Sequence, residues 1–323
     1  MYMKKLIQDK TYFLKDMLEG MKLTNPDVDV IEDTVVVRAE KKQKGVALVS
    51  GGGSGHEPAH AGYVAQGMLD AAVCGEVFTS PTPDKVLAAI KAVDNGDGVL
   101  LIVKNYAGDV MNFEMAQEMA QMEDISVEMV VVADDIAIED VDKRRGVAGT
   151  VLVHKYAGYL SEQGVSLADL KEKVASLLTG IRSIGMALTP PLVPTTGKYG
   201  FDIEADEMEI GIGIHGERGI TRTTVESAEN IAQRLVTRLV AEVEATEVVV
   251  MLNGMGGTPL SELQIMTKYV SEQLTAQGKK VTHWLVGDYM TALDMQGFSI
   301  TLAPHDDSLL TAIKADTESH YFN

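Results

Sequence analysis

The 323-residue chain has a single cysteine, Cys74, which excludes an internal disulfide and any multi-cysteine metal site. Such scarcity suits a reducing compartment, and a cytosolic location is expected. Basic residues are also short, with 28 Lys and Arg against 47 Asp and Glu and a net charge of −19. That balance argues against a surface for nucleic acid or for an anionic membrane. No run of ~18 apolar residues occurs, so no transmembrane helix is expected. The N-terminal stretch Met1 to Lys10 has no apolar core long enough for a signal peptide. Low-complexity segments and long like-charge blocks are absent as well. What remains is an ordinary globular composition, 46% hydrophobic, at a length comfortable for two domains.

The richest stretch is Gly51-Gly52-Gly53-Ser54-Gly55-His56-Glu57-Pro58. It follows Gly45 to Ser50, which reads as a buried strand, and precedes Ala59 to Leu69, which reads as a helix. Four glycines in five residues are costly inside either element, so a loop is expected, with backbone able to approach a small ligand. Pro58 suits the first turn of a helix. On that reading His56 and Glu57 sit beside exposed N–H groups at a helix N-terminus. The loop lacks the Lys-Ser/Thr ending of a nucleotide P-loop. It also misses the dinucleotide fingerprint, since His56 occupies the third glycine position.

Strand and helix alternate along the first half. A helix is expected over 11–24, a strand over Thr34 to Arg38, a further strand over Val73 to Val77 and a helix over Lys85 to Val93. Val99 to Val103 is an apolar run without alternation, the mark of a parallel strand covered on both faces. A helix over Val110 to Met122, a strand over Val127 to Val132, and helices over Thr150 to Gln163 and Ser166 to Ser183 complete this half. The pattern predicts an α/β fold of two subdomains, the first with a mostly parallel sheet flanked by helices. Pro190, Pro191 and Pro194 mark a change of texture. Residues 1–183 are assigned to an N-terminal α/β subdomain with the glycine-rich loop, and 184–323 to a C-terminal one. In the latter, strands are expected over Glu207 to Ile214, Glu247 to Leu252, Val281 to Val286 and Phe298 to Leu302. Helices are expected over Ser227 to Val243 and Leu260 to Gln277, with a second glycine loop over Asn253 to Pro259.

Ligands of such sheets bind beyond the carboxyl ends of the strands. The 51–58 and 104–109 loops both leave such ends. Among seven histidines, His56 and His215 stand out for their glycine-rich context, while His60, His154, His283 and His320 read as structural. His56-Glu57-Pro58-Ala59-His60 formally matches the zinc-protease spacing, but proline inside that helix argues against it, and no metal site is expected. Asp109 suits a general base tuned by burial and Lys104, or an N-cap for the Val110 helix. Asp134 and Asp135 read as structural.

Six stretches together carry a resemblance. They are Ser50 to Pro58, Gly75 to Lys85, Lys104 to Asp109, Gly213 to Glu217, Gly256 to Leu263 and Leu293 to Ser299. In order and over essentially the whole chain, they resemble the substrate-binding subunit of the dihydroxyacetone kinase family. The chain ends soon after the last, so the resemblance is to the separate subunit of the bacterial, phosphoenolpyruvate-phosphotransferase-linked form. It implies that His215 adds through a ring nitrogen to the ketone carbon of dihydroxyacetone, giving a hemiaminal. It implies polar contacts to substrate from Gly53, Ser54, His56, Lys104 and Asp109. Asp109 would accept the hydroxyl proton and His56 would assist in acid–base steps. The donor, ADP/ATP with Mg²⁺, would be held by a nucleotide-binding partner subunit and recharged through a phosphocarrier subunit. A homodimer is also implied. The rival within the resemblance is a dihydroxyacetone-sensing paralogue that co-activates a transcription factor. A metal-dependent hydrolase built on His56 and His60 is the generic alternative.

Overall fold

The structure, a computed structural model, describes residues 4–322, so Met1 to Met3 of the N-terminal stretch lie outside the described residues. In chain order the elements are α1 (Phe13–Thr24), β1 (Val28–Ile31), β2 (Val35–Arg38), β3 (Ala47–Ser54), β4 (Ala71–Val77), α2 (Pro83–Val93), β5 (Val99–Lys104), α3 (Ala107–Gln121), β6 (Val127–Val132), α4 (Thr150–Glu162) and α5 (Leu167–Leu178). There follow β7 (Arg182–Ala187), β8 (Leu192–Val193), β9 (Lys198–Tyr199), β10 (Glu207–Ile210), β11 (Thr221–Thr224), α6 (Ala228–Glu242), β12 (Glu247–Gly254), α7 (Leu260–Ala276), β13 (Lys280–Gly287), β14 (Gly297–Pro304) and α8 (Asp307–Lys314).

The first sheet runs β1-β2-β4-β3-β5-β6. Its core strands β4, β3, β5 and β6 pair parallel, and β1 and β2 add an antiparallel edge. The second runs β11-β10-β7-β14-β12-β13 and is antiparallel except at β12/β13. Every residue of β5 is buried, as an unalternating apolar strand requires. One face, including Val49, Val73 and Leu101, packs against Val86, Ile90 and Phe113 of α2 and α3. The other, including Leu48, Leu100 and Ile102, meets Val151 and Val153 of α4 in a core that continues to Val249 and Met251 of β12 and Ala303 of β14. Helix α4 is buried nearly all round, as a helix between two layers must be, and it buries His154 and Lys155 with its apolar residues. α6 and α7 close the far face of the second sheet against Val248, Val250 and Leu252. Among the described residues no helix is long and apolar enough to cross a membrane.

Several expected elements differ. Gly51 to Ser54 continue β3 rather than opening a loop. A Cβ on Gly51 would stand 2.5 Å from the Val73 carbonyl oxygen, and one on Gly53 2.5 Å from the Thr79 nitrogen, so these glycines let two neighbouring backbones close in. Ala59 to Leu69 is not a helix but a series of tight turns around a short 3-10 segment, Ala61–Tyr63. Tertiary hydrogen bonds win here. Ser319 Oγ donates to the Gly62 carbonyl at 3.0 Å, Thr317 Oγ1 to that of Gln66 at 2.8 Å, and Tyr63 Oη to that of Tyr289 at 2.6 Å. Pro58 therefore begins no helix, and the helix expected to start beside His56 is not formed. The helix expected over Ser166 to Ser183 ends at Leu178, and Ser183 lies in β7, two residues into which the expected subdomain change falls. The strand over Glu207 to Ile214 stops at Ile210, because Gly211 adopts φ +80°.

Candidate active site

Loops from both halves meet beyond the carboxyl ends of β3 and β5. Asn253, buried at the end of β12, accepts from the N–H groups of Tyr289 and Met290 at 2.8 Å each and donates to the Met290 carbonyl. This amide fixes the 289–293 segment, which clamps the 55–57 segment. Thr291 N donates to the His56 carbonyl at 3.1 Å and Leu293 N to that of Gly55 at 2.7 Å. Thr291 Oγ1 donates to the Glu57 carbonyl at 2.8 Å.

The clamp also sets the tautomer of His56. Its Nδ1 lies 2.8 Å from the Thr291 carbonyl, which only accepts, so Nδ1 carries a proton. Nε2 then faces Nε2 of His215 at 3.0 Å. His215 is fixed similarly. Its Nδ1 donates to Glu217 Oε1 at 2.8 Å, while Glu217 Oε2 accepts from the His215 backbone N–H at 2.9 Å. With both Nδ1 protons committed, only one proton fits between the two Nε2 atoms. With a proton in that position, the trio His56, His215 and Glu217 sets one imidazolium equivalent against one carboxylate, a neutral set in a buried place.

Charge balance follows position. Burial, then the charges of His215 and Lys104, hold the pKa of His56 well below the usual histidine value. Burial pushes the Glu217 carboxyl up, but the hydrogen bond and charge of His215, joined by Arg145, outweigh it and hold the group at about 2. Arg145 reaches in from the segment before α4. It pairs with Asp135 at 2.7 Å and donates to the Gly211 carbonyl at 2.9 Å, binding the His215 loop to the first half. His215 keeps 20% of its side chain exposed, whereas His56 is fully buried. Phe78 lies against both rings, 5.2 Å from His56 and 5.1 Å from His215, and Tyr106 packs edge-on to His215 at 4.6 Å.

Lys104 and Asp109 form the second pair. Lys104 ends β5 with 1% exposure and its ammonium stands 3.6 Å from Asp109 Oδ2. Burial lowers the lysine pKa, and Asp109 works against that. Asp109 is not the N-cap expected. α3 starts at Ala107 with Tyr106 in the cap position, so Asp109 sits in the first turn, favourable for a carboxylate. Gly52 lies directly against Lys104 Nζ and Asp109. Ser54 Oγ donates to the Gly75 carbonyl at 2.7 Å and retains only its acceptor capacity for a ligand.

Neither histidine of the zinc-protease spacing is free to ligate. His56 is engaged by Thr291 and His215, and His60 Nε2 faces the Lys104 ammonium at 2.9 Å. Among the described residues no group of three or more His, Cys, Asp or Glu stands close enough to hold a metal ion. Cys74 is buried, which with Glu57 nearby pushes its thiol up to about 12 and leaves it inert.

Glu217, Tyr106, Phe78 and Arg145 are the members to which sequence reasoning assigned no role. Glu217 left a local signal, an acid two residues beyond His215 across a glycine, and Phe78 and Tyr106 fall within stretches that carry the resemblance. The Tyr106 hydroxyl is buried without a hydrogen-bond partner among the described residues. Tyr106→Phe is therefore expected to unfold at the same or higher urea concentration, a gain of up to about 1 kcal/mol, because it removes an unsatisfied group. A clear loss of stability would assign that hydroxyl a bond.

Fold and site together define an α/β protein with a carboxylate-held imidazole pair at the meeting of two sheets. The Dak1 domain profile matches residues 19–321, and the chain belongs to that family. It is 50% identical over 313 residues to the dihydroxyacetone-binding subunit DhaK of a PTS-dependent dihydroxyacetone kinase of Listeria innocua, covering 94% of this chain and 95% of the relative. The dihydroxyacetone kinase of C. freundii superposes with a TM-score of 0.94 at 36% identity, over 99% of this chain and 60% of that longer one. A dihydroxyacetone kinase operon co-activator, Dha-DhaQ, superposes with a TM-score of 0.92, also at 36% identity, over 95% and 98%.

Proposed function

We propose that this chain is the dihydroxyacetone-binding subunit of a phosphotransferase-linked dihydroxyacetone kinase. On this reading it holds its substrate covalently on His215. The observation that carries the reading is the Glu217 carboxylate on Nδ1 of His215. It leaves Nε2, the nitrogen beside His56, as the nucleophile. Nε2 adds to the ketone carbon, and the carbonyl π pair moves to oxygen. That oxygen takes the proton held between the two Nε2 atoms, delivered by His56. The product has one new N–C bond, one hydroxyl and a cationic ring still paired with Glu217. Total charge is unchanged. Glycerol has no electrophilic carbonyl and cannot form this bond, so the chemistry itself separates ketone from polyol.

Asp109 then accepts the proton of a terminal hydroxyl as it attacks phosphorus, and the Lys104 ammonium offsets the charge beside it. Gly53 and Ser54 supply backbone and acceptor contacts from the end of β3. The phosphoryl donor is a nucleotide with Mg²⁺ on a partner subunit. Phosphoryl transfer is mainly positioning and charge stabilisation, so a tether and a few polar groups suffice on this side.

Dihydroxyacetone ¹³C-labelled at its carbonyl should lose the ketone resonance on mixing with the protein and gain a tetrahedral-carbon signal. His215→Ala should show only the ketone, hydrate and dimer signals of free dihydroxyacetone. A protein-bound tetrahedral signal, distinct from these, that survives in His215→Ala would sink the covalent role. The likeness to a co-activator supports a second reading, a sensor that binds and does not turn over. Adding the nucleotide-bearing and phosphocarrier subunits separates the two, since product formation supports the kinase and binding alone the sensor.

A further inference from the structure

Behind Lys104 lies a row of buried groups that the reaction above does not use. Lys104 Nζ is 2.9 Å from His60 Nε2, and His60 Nδ1 is 2.9 Å from His154 Nε2. Both rings are buried, His154 completely, and they meet edge to face with centroids 5.1 Å apart. His154 lies on α4, the helix between the two sheets, so the row runs from the site into the middle of the molecule. His154 Nδ1 ends it, buried and without a partner among the described residues.

The protons of this row can be assigned. An ammonium has three hydrogens and no lone pair. Those of Lys104 are directed to the Gly51 carbonyl at 3.2 Å, to His60 Nε2 and toward Asp109. His60 Nε2 must therefore accept, and the His60 proton sits on Nδ1. That proton is donated to His154 Nε2, so His154 carries its own proton on Nδ1. The groups facing Lys104 are Asp109 from α3, His60 from the turn segment, His56 from the clamped segment and, through His60, His154 from α4. Of these only Asp109 is anionic. Burial first and then the Lys104 charge keep both imidazoles neutral, with His154 down at about 3. Two neutral rings give the ammonium an acceptor without adding a charge.

We infer that His60 is a positioning residue that holds Lys104 as an ammonium aimed at Asp109 and the substrate, and that His154 holds His60 in the tautomer this requires. This deepens the kinase reading and rests on it for its kinetic consequence. The tautomer assignment stands apart from that reading. Unlike His56 and His215, neither His60 nor His154 touches substrate in this scheme. Their effect passes through the charge state of Lys104.

The first measurement is ¹⁵N NMR of the imidazoles in the unmodified protein. Both His60 and His154 should appear as neutral Nδ1–H tautomers throughout the neutral pH range. An Nε2–H tautomer or an imidazolium at His60 would overturn the inference. The second is the pH profile of kcat/KM with the partner subunits present. His60→Leu removes an acceptor from a buried ammonium and so favours the neutral amine. The alkaline limb should move down by about one pH unit or more, with kcat/KM about tenfold lower on the alkaline side of the limb. The hemiaminal carbon signal should be unchanged, because His215 is untouched. His60→Gln offers an amide oxygen to Lys104 and an N–H to His154, and should restore the limb to its original position. An unmoved alkaline limb in His60→Leu, or a limb in His60→Gln displaced as far as in His60→Leu, would overturn the role. If the unmodified protein gives no hemiaminal signal and no turnover, the kinase reading fails instead. The tautomer measurement then still decides how the row is protonated. Should His60→Leu not fold, His60→Gln and the ¹⁵N spectra carry the test.

Discussion

Asp109→Asn is expected to bind dihydroxyacetone and fail to pass it on. Turnover in the reconstituted system should fall by about 10²- to 10⁴-fold, the range for loss of a positioned general base. The hemiaminal carbon signal should persist, since the N–C bond depends on His215, Glu217 and His56. Geometry favours a clean result. The carboxamide is nearly the same size as the carboxylate in a place where Asp109 is 3% exposed and Gly52 leaves little room. What changes is proton affinity and charge, and Lys104 loses its anionic neighbour at 3.6 Å. Rapid-quench measurement of dihydroxyacetone phosphate alongside the ¹³C spectrum makes the comparison in one preparation. Turnover within about tenfold of the unmodified protein would remove Asp109 from the role of base and leave it a hydrogen-bonding group.

Glu217→Gln should act one step earlier. The carboxylate accepts two hydrogen bonds, one at each oxygen, from the His215 ring and the His215 backbone N–H. A glutamine has one accepting oxygen, so its NH₂ must oppose one of those donors. The ring is then free to turn or to take the other tautomer, and the cationic ring of the adduct loses its counter-ion. Replacing an acid that orients a histidine by its amide typically costs several orders of magnitude, and a fall of about 10²- to 10⁴-fold in kcat/KM is expected. Unlike Asp109→Asn, this variant should also show a diminished hemiaminal signal, which spectroscopy reads without the partner subunits. A full signal would mean that the carboxylate is dispensable for anchoring. Because the carboxyl is held at about 2, falling pH should not protonate Glu217 until well below the ordinary glutamate range.

The two predictions separate because the site has two halves with different legibility. β5 and the residues at its end were readable, since an unbroken apolar run names a buried strand and Lys104 and Asp109 follow it in sequence. His56 and His215 were readable from their glycine neighbours and from the wider resemblance. Their partnership was not, because 159 residues separate them and nothing local in either stretch encodes a 3.0 Å approach. The glycines of 51–53 were misread for a related reason. Propensity speaks against them in a strand, and only the nearness of Val73 and Thr79 explains why a strand needs them. The turns of 59–69 are held by the carbonyl of Tyr289 and by the hydroxyls of Thr317 and Ser319, all invisible to any local window. β1 and β11, at four residues each, and α8, at eight, were too short to stand out, although Asp306 caps α8 through the N–H of Leu309. His60 and His154 looked structural one at a time, and their meaning lies in the 94 residues between them.

The clamp on His56 has a bearing on how the protein is made. Its ring is oriented by the carbonyl of Thr291, 235 residues downstream. Synthesis proceeds from the N-terminus, so His56 and later His215 are made before the residue that orients the first of them exists. A nascent chain that has not reached residue 291 therefore carries both imidazoles with the His56 ring not yet oriented. A truncation before Thr291 would leave every expected catalytic residue in place and still produce a chain that cannot orient His56.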